Sequence, residues 1–271
     1  MTAMQNKKSM KCDLHIHSNL SDGLNPVEDV LRDGQAMDLE IMAITDHYHH
    51  LAQGKGKLDA YVDKIAKLRD NYSPRILIGV EVQMDNQNGE IKLNTNERGK
   101  LDIVLVELMG TLVFGLKDDP LWKREKSSKK QLIETVFASY INICQNPLID
   151  VIAHPFNLGR LNADYSFSLA DIPYSLLCEL AQNMAKHKKA FEIQSQFYYW
   201  YPKIKIEKIT SDYIKIIRLF ASNGVKFSVG SDAHSCGTIG NLYWAKKVIN
   251  GAGLSQNWHD WFIDINERTD Q

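Results

Sequence analysis

The sequence predicts an α/β protein whose parallel strands form a sheet covered by helices. Short apolar segments alternate with longer segments of helical periodicity, which is the pattern of consecutive βα units. The apolar segments carry hydrophobic residues on both faces, as parallel strands do when helices cover them. With 271 residues, 44% of them hydrophobic, the chain can bury a large core in one barrel-type domain or two smaller domains.

Seven apolar runs have the length of strands. In chain order they are CDLHIH (12–17), IMAITD (41–46), RILIGVEVQM (75–84), LDIVLVELM (101–109), IDVIAH (149–154), KAFEIQS (189–195) and VKFSVGS (225–231). The helices predicted between them are at about 27–37, 57–71, 129–145, 171–187, 207–222 and 240–249. Asn25 and Pro26 supply an N-cap and a first helical residue for the first of these. No Pro-, Gly- or Ser-rich linker divides the chain, so we expect one domain over 1–271, with 85–99 as a hairpin or loop.

Composition and charge exclude several classes of partner. The formal net charge of −1 gives no overall attraction to polymeric nucleic acid or to an anionic membrane. The first residues lack the apolar stretch of a signal peptide, and no window approaches the length of a membrane span. The four cysteines show no CxxC spacing, which favours reduced thiols. The sequence therefore predicts a cytoplasmic protein without membrane or nucleic-acid partners, and it leaves the oligomeric state open.

Polar side chains that can bind metal ions gather where the predicted strands end. Five of the nine histidines lie at such positions. The carboxyl ends of parallel strands share one edge, and active sites of α/β proteins are built there. The residues are His15, His17, His47, Glu81, His154, Glu192, Asp232 and His234. Imidazoles and carboxylates that converge on one edge predict a site for divalent metal ions.

The first strand shows the pattern most clearly. Strand alternation places His15 and His17 on one face, with Asp13 on the same face two residues deeper. Asp232 and His234 repeat the arrangement near the other end of the chain. An isolated HxH pair also suits a hydrated surface strand, but similar residues at the other strand ends favour metal binding.

Three further candidates each have a structural alternative. Glu81 lies in an apolar strand, where an ionised carboxylate needs a metal ion or a salt bridge. His154 precedes a proline, which favours extended backbone and an imidazole directed at the mouth of the sheet; a hydrogen-bonded core histidine is the alternative. Asp22, in Ser-Asp-Gly, also suits a simple turn. Asp13 and Asp46 are expected to hold imidazoles or loop amides.

In order, the motifs D-x-H-x-H, SDG, ITDH, GVE, AHP and SDAH run from Asp13 to His234. This ordered set resembles the PHP (polymerase and histidinol phosphatase) superfamily of metal-dependent phosphoesterases. The resemblance implies a distorted seven-stranded (β/α)7 TIM-like barrel with two or three divalent ions, Zn, Mn or Fe, at its carboxyl-terminal mouth. It also implies hydrolysis of a small phosphorylated metabolite or nucleotide by a metal-bridging hydroxide.

The resemblance further implies a division of the ligands among the ions, with one glutamate bridging the first two. The implied ligands are His15, His17, Glu81 and Asp232 for the first ion, Glu81 and His154 for the second, and Asp22, His47 and His234 for the third.

The fourth strand departs from the pattern of the superfamily. Many members end this strand with a histidine that binds the same ion as His154. This chain has Met109 there, and a thioether is a poor ligand for such ions. Glu107, His49 or His50 are candidate substitutes, and without one the centre would hold two ions instead of three.

Residues around the mouth are candidates for proton transfer and substrate contact. His154, His234 and Asp232 are the candidate catalytic residues, with either histidine as the acid for the leaving oxygen. Arg160 is the candidate phosphate contact, although loop arginines are often only solvated. The aromatic segment 195–202 would stack on a base or sugar, line an oligomer interface or cap the barrel.

Two other functions stay open at this level. An amidohydrolase-type C–N hydrolase also uses an HxH strand and a late aspartate on a barrel. Such sites often need a carboxylated lysine between the ions, where this chain offers Glu81. A non-catalytic, metal-stabilised binding module would explain the missing histidine of the fourth strand. The choice between mono- and diesterase, the substrate and the physiological ion are equally open.

Overall fold

A computed structural model describes residues 11–108, 128–158, 167–255 and 258–263. Its seven strands are parallel, and their order in the sheet is their order in the sequence. They are β1 Cys12–Ile16, β2 Ile41–Ile44, β3 Arg75–Gln83, β4 Ile103–Glu107, β5 Val151–Ile152, β6 Ala190–Gln194 and β7 Lys226–Gly230. All seven predicted strands are confirmed, each shorter than predicted at one or both ends.

The sheet curls into a nearly closed barrel. The segment that follows β7 runs beside β1, where the Asp232 amide donates to the His15 carbonyl at 2.9 Å. The His17 amide donates to the Ala233 carbonyl, also at 2.9 Å. These contacts confirm the predicted distorted (β/α)7 barrel.

Helices connect the strands and cover the outside of the barrel. The α-helices are α1 Val27–Ala36, α2 Tyr48–Leu51, α3 Lys57–Arg69, α4 Thr95–Arg98, α5 Lys129–Cys144, α6 Tyr174–Lys186, α7 Ile206–Ser222, α8 Tyr243–Ala252 and α9 Trp258–Trp261. The six predicted helices are confirmed, whereas α2, α4 and α9 are too short to show a helical period in the sequence. Segment 85–99 is the loop of the two alternatives, and it contains α4, which begins with a capping box of Asn94 and Glu97.

The start of α1 differs from the prediction. The N-cap residue is Pro26 instead of Asn25, and no side chain caps the helix. The Asn25 side chain accepts a hydrogen bond from the Cys236 amide at 2.9 Å. The residue predicted as a helix cap therefore ties the loop after β1 to the loop after β7.

Two apolar layers explain why the polar residues collect at the mouth. The inner layer lies within the barrel and consists of Leu14, Ala43, Leu77, Ile103, Leu105, Val151, Ala153 and Ala190. The outer layer packs the opposite strand faces, such as Val80 and Val106, against the helices. Because side chains alternate along a strand, residues further along β3 and β4 on the inner face are Glu81 and Glu107. The functional side chains thus lie directly above the inner apolar layer.

Strand β1 interrupts this alternation. Its register with β2 shifts by one residue between Asp13 and Ile16. Leu14 packs in the inner layer, whereas Cys12, two residues earlier, packs in the outer one. The regular alternation predicted along the strand is therefore interrupted, whereas the predicted placement of His15 and His17 on one side is confirmed by their Nε2 atoms, which lie 3.0 Å apart.

Two observations concern the surroundings of the protein. All four cysteines, Cys12, Cys144, Cys178 and Cys236, are free thiols. Within the described ranges, no helix combines the length and the apolar character needed to cross a bilayer.

Candidate metal centre

Four side chains from three separate parts of the chain converge at the mouth. His15 Nε2 lies 3.0 Å from His17 Nε2 and 3.3 Å from Glu81 Oε2. Asp232 Oδ1 lies 3.5 Å from His15 Nε2 and 3.2 Å from His17 Nε2. Glu81 Oε2 faces the same two imidazoles and lies 3.5 Å from His17 Nε2. Ligand atoms around a tetrahedral zinc ion, at bonds of about 2.05 Å, are roughly 3.3 Å apart. The separations in the structure match those expected of atoms that share one ion.

Glu192 determines how His15 enters this cluster. Its Oε1 accepts from His15 Nδ1 at 2.8 Å, and its Oε2 accepts from the His154 amide at 2.6 Å. Because the Nδ1 proton is donated to Glu192, neutral His15 directs an unprotonated Nε2 at the centre, as metal-ligating histidines do. A Cβ at position 230 would collide with both Glu192 and His15, so Gly230 makes the pair possible. Both oxygens of Glu192 are thus used to position other groups.

Asp13 and Asp46 hold the loops around the cluster. Asp13 accepts from the Ser231 amide at 2.9 Å and from the Gly240 amide at 2.8 Å. Asp46 accepts from the Ser18 amide at 2.8 Å and from its hydroxyl at 2.7 Å. The prediction that these aspartates hold loop amides is confirmed.

Gln194 is a site residue that sequence reasoning missed. Its Nε2 donates to Asp232 Oδ2 at 2.6 Å, which leaves Asp232 Oδ1 facing the two imidazoles. The available signal was its position at the end of β6, on the same face as Glu192. A neutral amide at such a position is not recognisable as part of a metal site without its partner.

Glu81 extends the cluster into a second set of donors. Its Oε1 lies 3.0 Å from His154 Nε2, while its Oε2 faces the first set. His47 Nδ1 lies 3.2 Å from Glu81 Oε2 and 3.8 Å from Glu107 Oε1. Glu81 and Glu107 are both buried. A carboxylate with one oxygen toward each set has the shape of a bridging ligand.

His154 reaches the centre with a backbone conformation that was not predicted. Its φ is 29°, so the extended conformation expected before Pro155 is wrong. Strand β5 ends two residues earlier, and a turn follows in which the Asn157 amide donates to the His154 carbonyl at 3.1 Å. Non-glycine residues seldom adopt positive φ and do so where surrounding contacts enforce it, often at functional sites. In this conformation the His154 amide donates a hydrogen bond to Glu192.

A third set of donors lies at the open edge of the mouth. Asp22 Oδ2 is 3.4 Å from His47 Nε2 and 3.3 Å from His234 Nε2. His234 Nδ1 lies 3.0 Å from the Asp232 carbonyl, which can only accept, so in neutral His234 the unprotonated Nε2 faces Asp22. The side chains of His234 and Asp22 are 39% and 42% exposed. Asp22 therefore faces two imidazoles, and its role as a ligand stays a prediction.

Two buried nitrogens test whether the residues fit metal ions. His17 Nδ1 and His47 Nδ1 have no hydrogen-bond partner among the described residues. Each faces a carboxylate oxygen, of Asp22 at 3.8 Å and of Glu81 at 3.2 Å, respectively. Buried polar atoms are nearly always satisfied, so these two nitrogens indicate that the described residues alone do not complete the site. Imidazole nitrogen with carboxylate oxygen is a donor set for Zn²⁺, Mn²⁺ and Fe²⁺, so the described residues fit such ions.

Burial and mutual charge set the pKa values of the centre. Burial alone would raise the pKa of Glu81 and Asp232, but the neighbouring imidazoles, His15 foremost, hold both below their usual values. Burial alone would lower the pKa of His154 and His47, yet the facing carboxylates raise both to about 9. Protonated imidazoles therefore balance the carboxylates in the protein alone, and a divalent cation supplies the same compensation with more charge.

The pKa values of Glu107 and His17 shift in the opposite directions to those of the other carboxylates and imidazoles of the centre. Burial, followed by the charge of Glu81, raises the pKa of the Glu107 carboxyl to about 7. Burial lowers the pKa of His17. Near neutral pH, a fully charged Glu107 thus depends on a nearby positive charge.

The remaining predicted residues are either outside the described residues or outside these sets. Arg160 and Met109 are outside the described residues, and the role of Arg160 stays a prediction. His49 and His50 follow His47 on α2, and the donor sets found in the described part of the chain include neither.

The aromatic segment 195–202 packs largely on the barrel. Phe197 and Tyr201 are buried, and the Tyr201 hydroxyl donates to the Phe156 carbonyl. The Phe197 ring stacks on Trp244 with centroids 5.9 Å apart. Tyr199 is 65% exposed. Phe197 and Tyr201 therefore pack in the outer layer, while Tyr199 is free of the core, and capping of the barrel mouth stays a prediction.

Comparison with known proteins decides the family. The model of the PHP domain matches residues 13–234, which is most of the chain. The chain belongs to the PHP domain family. This PHP protein is 26% identical over 253 residues to a "probable phosphatase" of Thermoanaerobacter sp. (strain X514), a match covering 90% of this chain and 87% of that one. It is 24% identical over 251 residues to a "probable histidinol-phosphatase" of Clostridium acetobutylicum, covering 90% and 95%.

A solved structure shares the barrel of this PHP chain. The histidinol phosphate phosphatase of Lactococcus lactis, determined with zinc, L-histidinol and phosphate, superposes with a TM-score of 0.66 at 19% identity. The match covers 90% of this chain and 94% of that one. The predicted resemblance to the PHP superfamily and its fold are thus confirmed, and the prediction of one domain over 1–271 stays a prediction.

Proposed function

We propose that this PHP-family chain is a metal-dependent phosphoesterase that hydrolyses a small phosphorylated metabolite or nucleotide. The observation that carries the proposal is the convergence of two imidazoles and two carboxylates from distant parts of the chain, with donor atoms 3.0–3.5 Å apart. Relatives described as phosphatases support the class of enzyme, a hydrolase acting on phosphate esters.

The proposal includes two or three divalent ions, Zn, Mn or Fe. The ligands proposed are His15, His17, Glu81 and Asp232 for the first ion, Glu81 and His154 for the second, and Asp22, His47 and His234 for the third. When bound, such ions supply an acidified water as the nucleophile and positive charge for the phosphoryl oxygens.

The protein's own groups handle the leaving oxygen. His154 and His234 are the two proposed acids, and they differ in access, since His154 is buried and the His234 side chain is 39% exposed. When the third position holds no ion, His234 is placed to exchange protons with solvent and to meet a substrate that enters at the open edge, since an imidazole bound to an ion through Nε2 has no proton there to donate. Asp232 contributes by keeping Oδ1 between the imidazoles while Gln194 holds its other oxygen.

Two finer points belong to the same proposal. The Lactococcus lactis protein was determined with L-histidinol and phosphate, which supports a small phosphate monoester as the first substrate to test. The four free cysteines support a cytoplasmic location, because thiols stay reduced there.

The test uses the full chain, stripped with a chelator and reloaded with Zn²⁺, Mn²⁺ or Fe²⁺. Hydrolysis of p-nitrophenyl phosphate and bis-p-nitrophenyl phosphate is measured for the wild type, for Asp232→Asn and for the matched control Asp63→Asn, whose site is exposed on α3. We expect ion-dependent hydrolysis that D232N loses and D63N keeps. Absence of hydrolysis with every ion would favour a non-catalytic binding module, and cleavage of amides alone would favour a C–N hydrolase.

A further inference from the structure

We propose that Glu107 is a metal ligand and completes the second ion position beside Glu81 and His154. The proposal rests on the proposed function, because it requires the centre to hold ions. Glu107 is the last residue of β4. It would take the place of the histidine ligand that many members of the superfamily have at the end of this strand.

The position of Glu107 on β4 directs its side chain to the centre. Ile103 and Leu105, which precede it on the same face, belong to the inner layer of the barrel. Glu107 pairs in register with Gln83 on β3, two residues beyond Glu81, and it is 4% exposed. The carboxylate therefore lies above the inner layer, on the same side as the Glu81 carboxylate.

A second buried carboxylate at this place needs a positive partner. Two like charges in a buried site raise the free energy of the folded protein unless a cation compensates them. Among the described residues no lysine or arginine pairs with Glu107, and its one ion-pair partner there is His47, with Nδ1 3.8 Å from Glu107 Oε1. That distance is too long for a hydrogen bond. The Gln83 side chain hydrogen-bonds Glu107, which orients the carboxylate and adds no charge.

The distances suit donors that share an ion. Neighbouring and opposite ligand atoms of an octahedral ion, at bonds of about 2.1 Å, are roughly 3.0 and 4.2 Å apart. His47, Glu81 and Glu107 each offer one donor atom, and the three atoms lie within 4.8 Å of one another. His154 Nε2 lies 3.0 Å from the other Glu81 oxygen, Oε1. His47 Nδ1 has no hydrogen-bond partner among the described residues and lies on the side of Glu81 and Glu107, whereas His47 Nε2 faces Asp22 of the third set.

The donor chemistry of this position differs from that of the first. The first set has two imidazoles and two carboxylates, whereas the second has the carboxylates of Glu81 and Glu107 with the imidazole of His154. Carboxylate-rich sites favour harder ions such as Mn²⁺ over Zn²⁺. A histidine in place of Glu107 would move the preference of this position toward Zn²⁺.

The experiment counts ions. Wild type, Glu107→Gln, Glu107→His and the exposed control Glu134→Gln on α5 are stripped and reloaded separately with Mn²⁺ and Zn²⁺. Bound metal per chain is measured by mass spectrometry and affinity by titration calorimetry. We expect E107Q to hold one ion fewer than wild type, or to bind that ion at least tenfold more weakly, and to keep the others. E107H is expected to regain the lost Zn²⁺, and E134Q to match the wild type.

A measurement on the unaltered chain guards against variants that fail to fold. In crystals of the wild type soaked in Mn²⁺, an anomalous peak beside His154 is expected about 2.2 Å from a Glu107 oxygen. A peak there with Glu107 more than about 3.5 Å away, or an E107Q that keeps the wild-type count and affinity, would overturn the inference. A wild type that binds no ion overturns the proposed function as well, whereas a wild type that binds ions and hydrolyses phosphate esters leaves the failure with Glu107 alone.

Discussion

Glutamine at position 192 would keep the size of Glu192 and remove its charge. Glu192 accepts two hydrogen bonds, from His15 Nδ1 at 2.8 Å and from the His154 amide at 2.6 Å. A carboxamide has one acceptor oxygen, which can accept from only one of these two donors. Its NH₂ group would then face the other donor, and that hydrogen bond would be lost. Losing one hydrogen bond that involves a charged group costs about 1.5–3 kcal/mol. Because His15 is positioned through this bond, we expect Glu192→Gln to weaken the ion it binds about 10- to 100-fold.

The assay for Glu192→Gln is competition with a chromogenic chelator, which gives the affinity of the tightest ion. The control is Glu179→Gln, the same substitution at an exposed position of α6. Urea unfolding of the ion-free proteins separates damage to the fold from damage to the site. An E192Q protein that folds and binds its ions within about threefold of the wild-type affinity would refute the positioning role.

Three further predictions follow from the same geometry. Asp22→Asn should release one ion and leave the others, because Asp22 is the carboxylate of the third donor set; metal analysis measures the count. The pKa of His154 is raised to about 9 from 6.5, so the ion-free protein has this stabilisation below about pH 6.5 and loses it as pH rises to about 9. Melting temperatures in chelator should fall over that range. Gly230→Ala should cost about 1–3 kcal/mol in urea unfolding, since the added Cβ meets Glu192 and His15.

Each of these predictions has a control and a contradicting result. Gly54→Ala adds a Cβ that makes only ordinary contacts with Lys57, and it should leave the free energy of unfolding nearly unchanged. A Gly230→Ala protein as stable as wild type would contradict the packing around that residue. Melting temperatures in chelator that stay constant from about pH 6.5 to pH 9 would contradict the protonation of His154, and an unchanged ion count in D22N would contradict the third donor set.

Local patterns in the sequence were enough to predict the fold. Each strand is a short apolar run, and the β/α alternation requires little knowledge of distant contacts. The polar ends of these runs predict the site because parallel strands bring their carboxyl ends to one edge. His15, His17, Glu81 and Asp232 come together for this reason, although they are far apart along the chain.

The remaining features depend on contacts that only the closed barrel creates. The positive φ of His154 accompanies a hydrogen bond from its amide to Glu192, which belongs to another strand. Asn25 is a residue type that often caps helices, but its side chain instead accepts a hydrogen bond from the Cys236 amide, 211 residues away. Gln194 becomes part of the site through its bond to Asp232. Propensity and periodicity carry no information about such pairs, because each member is unremarkable in its own segment.

The metal centre and the closure of the barrel depend on the same residues. The segment after β7 meets β1 where the Asp232 amide donates to the His15 carbonyl at 2.9 Å. The side chains of these two residues also face each other, with His15 Nε2 3.5 Å from Asp232 Oδ1. An ion held by both would lie across the seam, so its binding free energy adds to the stability of the folded barrel. The unfolded chain does not bring these two residues together. A substitution that separates β1 from the segment after β7 must therefore lower the affinity for the ion, even when every ligand is kept.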